Sequence, residues 1–146
     1  MPTETGTPPA AEIAIVEAFF DAFRAGDTDR ALALMADDVV YQNVPFQPDR
    51  GKAAVARTFK GFTRVMTAFD VQIKNIAARD GVVLTERVDL ATGRFLDMSI
   101  WVCGTFEVRD GRITLWRDYF DIASTTAQLL TGPVRKLLGR TRWAAR

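Results

Sequence analysis

Residues 82–120 read VVLTERVDLATGRFLDMSIWVCGTFEVRDGRITLWRDYF, and the fold turns on how that stretch divides into strands. Three runs, Val82–Leu90, Leu96–Val108 and Arg112–Phe120, are rich in β-branched and aromatic residues. Between them lie Ala91-Thr92-Gly93-Arg94 and Arg109-Asp110-Gly111. Glycine supplies the positive φ that a tight hairpin needs, so each connection reads as a turn between antiparallel neighbours. A fourth run, Phe69–Ala77, joins upstream through Arg79-Asp80-Gly81 in the same way. Successive side chains of a strand point to opposite faces, so Arg87 and Asp89 share a face, as do Trp116, Asp118 and Phe120. If the two faces coincide, two carboxylates and a guanidinium sit among apolar groups, an arrangement too costly to be casual.

Register carries this one step further. A three-residue loop at Arg109-Asp110-Gly111 pairs Val102 with Asp118 and Ile100 with Phe120, while a two-residue loop pairs Cys103 with Asp118. The set Ile100, Val102, Gly104 and Phe106 suits an interior better than Ser99, Trp101, Cys103 and Thr105, which favours the three-residue loop. Arg87 then lies on the next strand beyond Val102, within reach of Asp118, with Asp89 one pleat along. One guanidinium can hold both acids.

Upstream of the strands the chain is helical. Residues 1–11 are rich in Pro and Thr and are expected to be disordered. From Glu12 to Arg24, Ile13, Val16, Phe19, Phe20 and Phe23 follow helical spacing, and Gly26 is a natural stop. Asp27 or Thr28 can cap a shorter helix reaching Met35. Asp38–Val44 alternates like a strand, with Val39, Tyr41 and Asn43 on one face, and Pro45 and Pro48 end it. Gly51 to about Thr67 is a third helix, with Val55, Phe59, Phe62 and Met66 along one side. A last apolar helix, Ala127–Leu138, is interrupted by Gly132-Pro133 and leads to a basic tail, residues 141–146. Helices first and consecutive strands after predict an α+β fold, helices on one side of a curved sheet, with residues 12–140 as a single domain.

Composition narrows the chemistry. A net charge of +1 argues against a nucleic-acid binder driven by phosphate contacts. No apolar run approaches a membrane span, and the first ten residues lack a signal peptide's basic and apolar regions, so a cytoplasmic location is expected. The one cysteine, Cys103, rules out an internal disulfide and reads as an inert packed thiol. Zero histidines is the sharpest count: it removes Ser-His-Asp and Cys-His catalysis and every His-containing metal site. No metal or other cofactor is expected. Catalysis, if present, falls to carboxylates, Tyr, Lys or Arg.

Two carboxylates tied to one guanidinium in an apolar pocket suit concerted acid–base work, in which one acid donates a proton and the other accepts. Tyr41 and Asn43 offer a hydroxyl and an amide that could hold water, or could simply bond across strands.

Taken together, Tyr41-Gln42-Asn43-Val44-Pro45, Arg87-Val88-Asp89, Ile100–Gly104 and Trp116-Arg117-Asp118-Tyr119-Phe120-Asp121 resemble the limonene-1,2-epoxide hydrolase family, in particular its mycobacterial steroid- and lipid-epoxide branch. The similarity covers about Glu12 to Leu130. It implies a curved mixed sheet with helices packed on one face around a deep pocket, a nuclear-transport-factor-2-like, cystatin-like roll, assembled as a homodimer. It also implies roles. Asp118 would activate water held by Tyr41 and Asn43, Asp89 would protonate the oxygen of a small apolar epoxide, and Arg87 would link the acids. Phe20, Phe23, Phe62, Met66, Ile100, Val102 and Phe120 are the expected substrate-binding lining. Arg117, Tyr119 and Trp101, on the opposite sheet face, are read as packing or dimer contacts. Two rivals stand beside this reading. One is a ketosteroid-isomerase-like or polyketide-cyclase-like proton shuttle, and the other is a non-catalytic ligand-binding or dimerisation domain.

Overall fold

Alternation and turn chemistry produce one six-stranded sheet, seen in a computed structural model that describes residues 8–139. The elements are α1 (Pro9–Arg24), α2 (Thr28–Ala33), β1 (Met35–Val44), β2 (Asp49–Arg50), α3 (Lys52–Val65), β3 (Met66–Arg79), β4 (Val82–Gly93), β5 (Asp97–Arg109), β6 (Arg112–Phe120) and α4 (Ile122–Leu137). Sheet order is β2-β1-β6-β5-β4-β3. All neighbours are antiparallel except β1 and β6, which run parallel. The expected α+β class and the mixed sheet are both present.

The helices follow their apolar stripes. α1 buries Val16, Phe19, Phe20 and Ala22, and α3 buries Val55 and Phe59. These meet Val71, Val83, Phe106, Ile113 and Trp116 from the sheet in one cluster. Gly26, at φ +69°, turns the chain out of α1, and the Asp27 side chain then accepts a hydrogen bond from the Arg30 amide at 3.0 Å to start α2. α1 begins earlier than expected. Residues 9–11 belong to its first turn, because proline is well suited to the opening positions of a helix. Residues 1–7 and the basic tail, 141–146, lie outside the described residues.

Register departs from the expectation. Arg79 pairs with Val82 and Arg109 with Arg112, so both loops are two-residue Asp-Gly turns. Asp80 and Gly81 have φ 54° and 81°, and Asp110 and Gly111 have φ 50° and 73°, the backbone of a type I′ turn. β6 then bulges at Thr114, whose neighbours Ile113 and Leu115 pair with the adjacent Val108 and Glu107. The shorter loop and the bulge each shift pairing by one residue. Asp118 therefore faces Gly104, and Phe120 faces Val102. A shift of two keeps every side chain on its expected face, so the acids still point inward.

α4 also differs. It begins at Ile122, capped by the Asp121 carboxylate accepting from the Ala123 amide at 3.0 Å, and passes through Gly132-Pro133 without a break. Gly132 lets it lie against Leu96, and a Cβ there would come within 3.0 Å of the leucine Cβ. Beyond the end of β6, the Gln128 carboxamide takes over the edge of β5. Ser99 donates its amide to Gln128 Oε1 at 2.9 Å and accepts from Gln128 Nε2 at 2.8 Å. At the far end Lys136 Nζ pairs with Asp97 Oδ1 at 2.7 Å. No described helix is long and apolar enough to cross a membrane.

Candidate active site

Arg87 is the hub. β4 carries Thr85, Arg87 and Asp89 on its inner face, and the adjacent β5 presents Gly104, Val102 and Ile100 opposite them in that order. On the far side of β5, β6 sets Asp118 beside Gly104. The guanidinium thus reaches diagonally across β5. Its Nε donates to Asp89 Oδ1 at 2.8 Å, and Nη2 donates to Asp89 Oδ2 at 3.0 Å and to Asp118 Oδ2 at 2.7 Å. Nη1 donates to Thr85 Oγ1 at 3.2 Å. The Arg87 side chain is 0% exposed, and its charged carbon lies 4.9 Å from the centre of the Phe20 ring.

The two acids share the cation but not their other neighbours. Asp118 Oδ1 accepts from the Trp116 indole at 2.8 Å. Asp89 has Arg87 as its side-chain partner for both oxygens. Burial pushes both carboxyls above the usual range, and Arg87 pulls each back only in part. Asp89 is pushed up to about 6, with the Asp118 charge adding to the effect of burial. For Asp118 the indole hydrogen bond joins Arg87 in opposing the rise. Burial works against the charge on Arg87, but the two carboxylates outweigh it and hold the guanidinium more firmly protonated than usual. Such close groups titrate as a set rather than singly.

Parallel pairing of β1 with β6 brings the remaining polar groups in. Asn43 faces Asp118 and Tyr41 faces Trp116 across the strand pair. Asn43 Nδ2 donates to the Tyr41 hydroxyl at 2.7 Å, which leaves the phenolic proton for another acceptor. The Tyr41 ring lies 4.3 Å from Trp116 at 33°, and burial first, then the Asp118 charge, pushes the phenol well above its usual pKa.

Tyr41, Asn43, Asp89 and Asp118 all open onto a cavity of about 310 Å³. Arg87 lies behind the two acids rather than at the wall. Of the expected lining, Phe23, Phe62, Ile100, Val102 and Phe120 face this cavity. Phe20 and Met66 do not. Phe20 sits under the guanidinium, fully packed against Phe106 and Trp116, and Met66 lines a separate hollow with Arg24 and Gly26. Phe59, Phe69 and Trp116, outside the expected lining, also line the cavity; helical spacing points Phe59 inward, and alternation does the same for Trp116. Thr85 and Gly104 were likewise missed, since neither residue type signals a site. On the other face, Trp101 and Tyr119 are exposed, and Arg117 donates to Gln42 Oε1 at 3.2 Å. Cys103 is exposed there rather than packed, because it falls on the odd-numbered face of β5 with Trp101. Among the described residues no group of three or more Cys, Asp or Glu could hold a metal ion.

Residues 10–131 match the family model described as the limonene-1,2-epoxide hydrolase catalytic domain. This chain belongs to the limonene-1,2-epoxide hydrolase family. Membership makes it an enzyme of the epoxide-hydrolase class. Epoxide hydrolase EphG of Mycobacterium tuberculosis is 45% identical over 122 residues, spanning 82% of this chain and 79% of that protein. The solved structure of a limonene-1,2-epoxide-hydrolase-like epoxide hydrolase from M. tuberculosis is 41% identical, with a TM-score of 0.82 over 91% of this chain and 99% of that one. A polyketide cyclase structure from Xanthomonas campestris pv. campestris, assigned as such only provisionally, reaches a TM-score of 0.73 at 24% identity, covering 84% of this chain and 99% of its own. That likeness is one of fold.

Proposed function

We propose that this limonene-1,2-epoxide hydrolase relative adds water to an apolar epoxide in one step and releases a vicinal diol. Tyr41 and Asn43 hold a water molecule beside Asp118. Asp118 takes a proton from it as the oxygen attacks an epoxide carbon, the carbon–oxygen bond breaks, and Asp89 delivers its proton to the departing oxygen. The two acids have then exchanged protonation states through a site whose net charge is unchanged. Arg87 makes that exchange inexpensive, because its Nη2 already bonds both carboxylates. The reaction as written uses neither metal nor cofactor.

One observation carries the reading: a single buried guanidinium bridges two carboxylates that both face one apolar cavity. Burial raises both carboxyls, which supports a proton held within the pair, and the division of roles between them rests on their neighbours. Asp118 is favoured as the base because Asn43 and Tyr41 stand across from it and its own neighbour, Trp116. Phe23, Phe62, Ile100, Val102 and Phe120 would hold the hydrocarbon part. At about 310 Å³ the cavity is at the small end of ligand sites, which favours a compact apolar epoxide.

Turnover in oxygen-18 water tests the reaction: the diol gains one labelled oxygen, whereas an isomerase or cyclase product gains none. Asp118→Asn should keep fold and ligand affinity but lose turnover by ~10²–10⁴-fold, the range for a positioned acid or base. Retained turnover would remove Asp118 from its role. Retained affinity with no turnover in the wild type would favour a binding domain.

We also infer that two copies associate through the outer face of β4–β6. Leu84, Trp101 and Tyr119 stand exposed on it, apolar area that a partner would cover.

A further inference from the structure

Gly104 is in the middle of β5 in ordinary extended backbone, without the positive φ of Gly26, Gly81 or Gly111. Glycine weakens a strand interior, so its presence calls for a cause other than conformation. The cause is what lies beside it. A methyl group built on Gly104 would meet Thr85 Oγ1 and Asp118 Oδ1 at 2.8 Å each, and Arg87 Nη1 closer still. Its nearest neighbours are thus all ends of side chains from the site.

Register explains the convergence. Thr85, Gly104 and Asp118 form one row across β4, β5 and β6, while Arg87 belongs to the next row with Val102 and Phe120. The guanidinium can reach Asp118 only by passing over Gly104. Thr85 closes the other end of this slot. Nη1 can only donate, so the Thr85 hydroxyl must accept from it and turn its own hydrogen to the Gly104 carbonyl, 3.4 Å away. That fixes the rotation of the guanidinium plane and leaves Nη2 divided between Asp89 and Asp118.

We propose that Gly104 and Thr85 are positioning residues for proton exchange, Gly104 by the space it leaves and Thr85 by locking the guanidinium so that neither carboxylate monopolises it. The inference rests on the acid–base reading above. Without the Thr85 hydroxyl, Nη1 is a buried donor lacking an acceptor, and Asp118 Oδ1 is the charged acceptor on the other side of the slot. A guanidinium that swings toward it favours ionised Asp118 and loosens its hold on Asp89, whose proton is then kept to higher pH.

Three variants, assayed with cyclohexene oxide as the apolar epoxide, test this. Thr85→Val keeps the side-chain shape, and kcat should fall by ~10-fold, the equivalent of one hydrogen bond, with KM little changed. The alkaline limb of its pH profile should move up, and Thr85→Ser should restore both. Gly104→Ala should fold and lose most turnover, because its clashes are with movable ends rather than with backbone. Asp-labelled carboxyl NMR of wild type and Thr85→Val reads the same shift without turnover. Unopened epoxide in the wild type would sink the hydrolase reading, while an unchanged carboxyl titration in Thr85→Val would sink the positioning claim. Loss of stability in Thr85→Val with wild-type kcat and pH profile would also overturn it.

Discussion

The two faces of β4–β6 are built from alternate residues of the same strands and have opposite character. Inward, Arg87, Asp89 and Asp118 are charged, almost wholly buried and held by one another. Outward, Leu84, Trp101 and Tyr119 are apolar and exposed, and the charged Glu86, half-buried, accepts a hydrogen bond from the exposed Asn75 at 2.6 Å. Burial gives the contrast its meaning. A charge facing water costs little and contributes little, whereas a buried one must be paired on every side and becomes sensitive to each neighbour. The inner face has this network beside an apolar cavity; the outer face has apolar surface left exposed among the described residues.

Removing the hub should break the inner network most severely. Arg87→Ala leaves two buried carboxylates without their cation and should cost ~3–5 kcal/mol in denaturant unfolding, together with loss of diol formation. A stable, active Arg87→Ala would mean that the inner charges are as dispensable as outer ones.

The pH response is the next largest effect and has a definite sign. Asp89 rises from its usual 3.8 to about 6, so between those values the folded chain holds a proton that the unfolded chain releases. The stability it contributes is fully present below the lower value and is lost as pH rises through the upper one. Asp118, also raised, acts in the same direction. Thermal melts should fall as pH rises through about 6, and Asp89→Asn should flatten the trend. Turnover should decline on the alkaline side over the same range as the acid loses its proton. A melt that rises across this range would contradict the burial argument.

Tyr41→Phe sharpens the comparison at smaller scale. The ring still packs on Trp116 and Asn43 remains, so a loss of ~10-fold in kcat is expected, about one hydrogen bond, without a change in melting. The outer face should respond differently. Trp101→Lys should leave kcat per chain unchanged while shifting sedimentation from dimer to monomer. If catalysis falls with association, the two faces are coupled.

Much of this contrast is legible in residues 82–120. The glycines mark where the chain turns but not whether two or three residues make the loop, and Arg87 with Asp89 must share a face at a spacing of two. The register with β6 is less accessible, because the bulge at Thr114 depends on how two twisted strands meet rather than on a distinctive residue. The parallel place of β1 beside β6 is a contact between distant segments, which alternation within Asp38–Val44 cannot reveal. Gly104 is illegible for a third reason: its role lies in an absent side chain, and a glycine in a strand looks like weakness until its neighbours are known. Phe20 misleads in the reverse way. It has the profile of pocket lining, but its ring supports the guanidinium from behind.

The pairing of Gln128 with Ser99 has a consequence for the behaviour of the sheet in concentrated solution. Where β6 stops, β5 would offer an unpaired amide and carbonyl, the template onto which a foreign strand adds. A carboxamide carries the same donor and acceptor as a peptide group, and Gln128 occupies both positions. Growth by strand addition is thereby blocked at this point, and Gln128→Ala would open a docking point for self-polymerisation while leaving every acid of the interior in place.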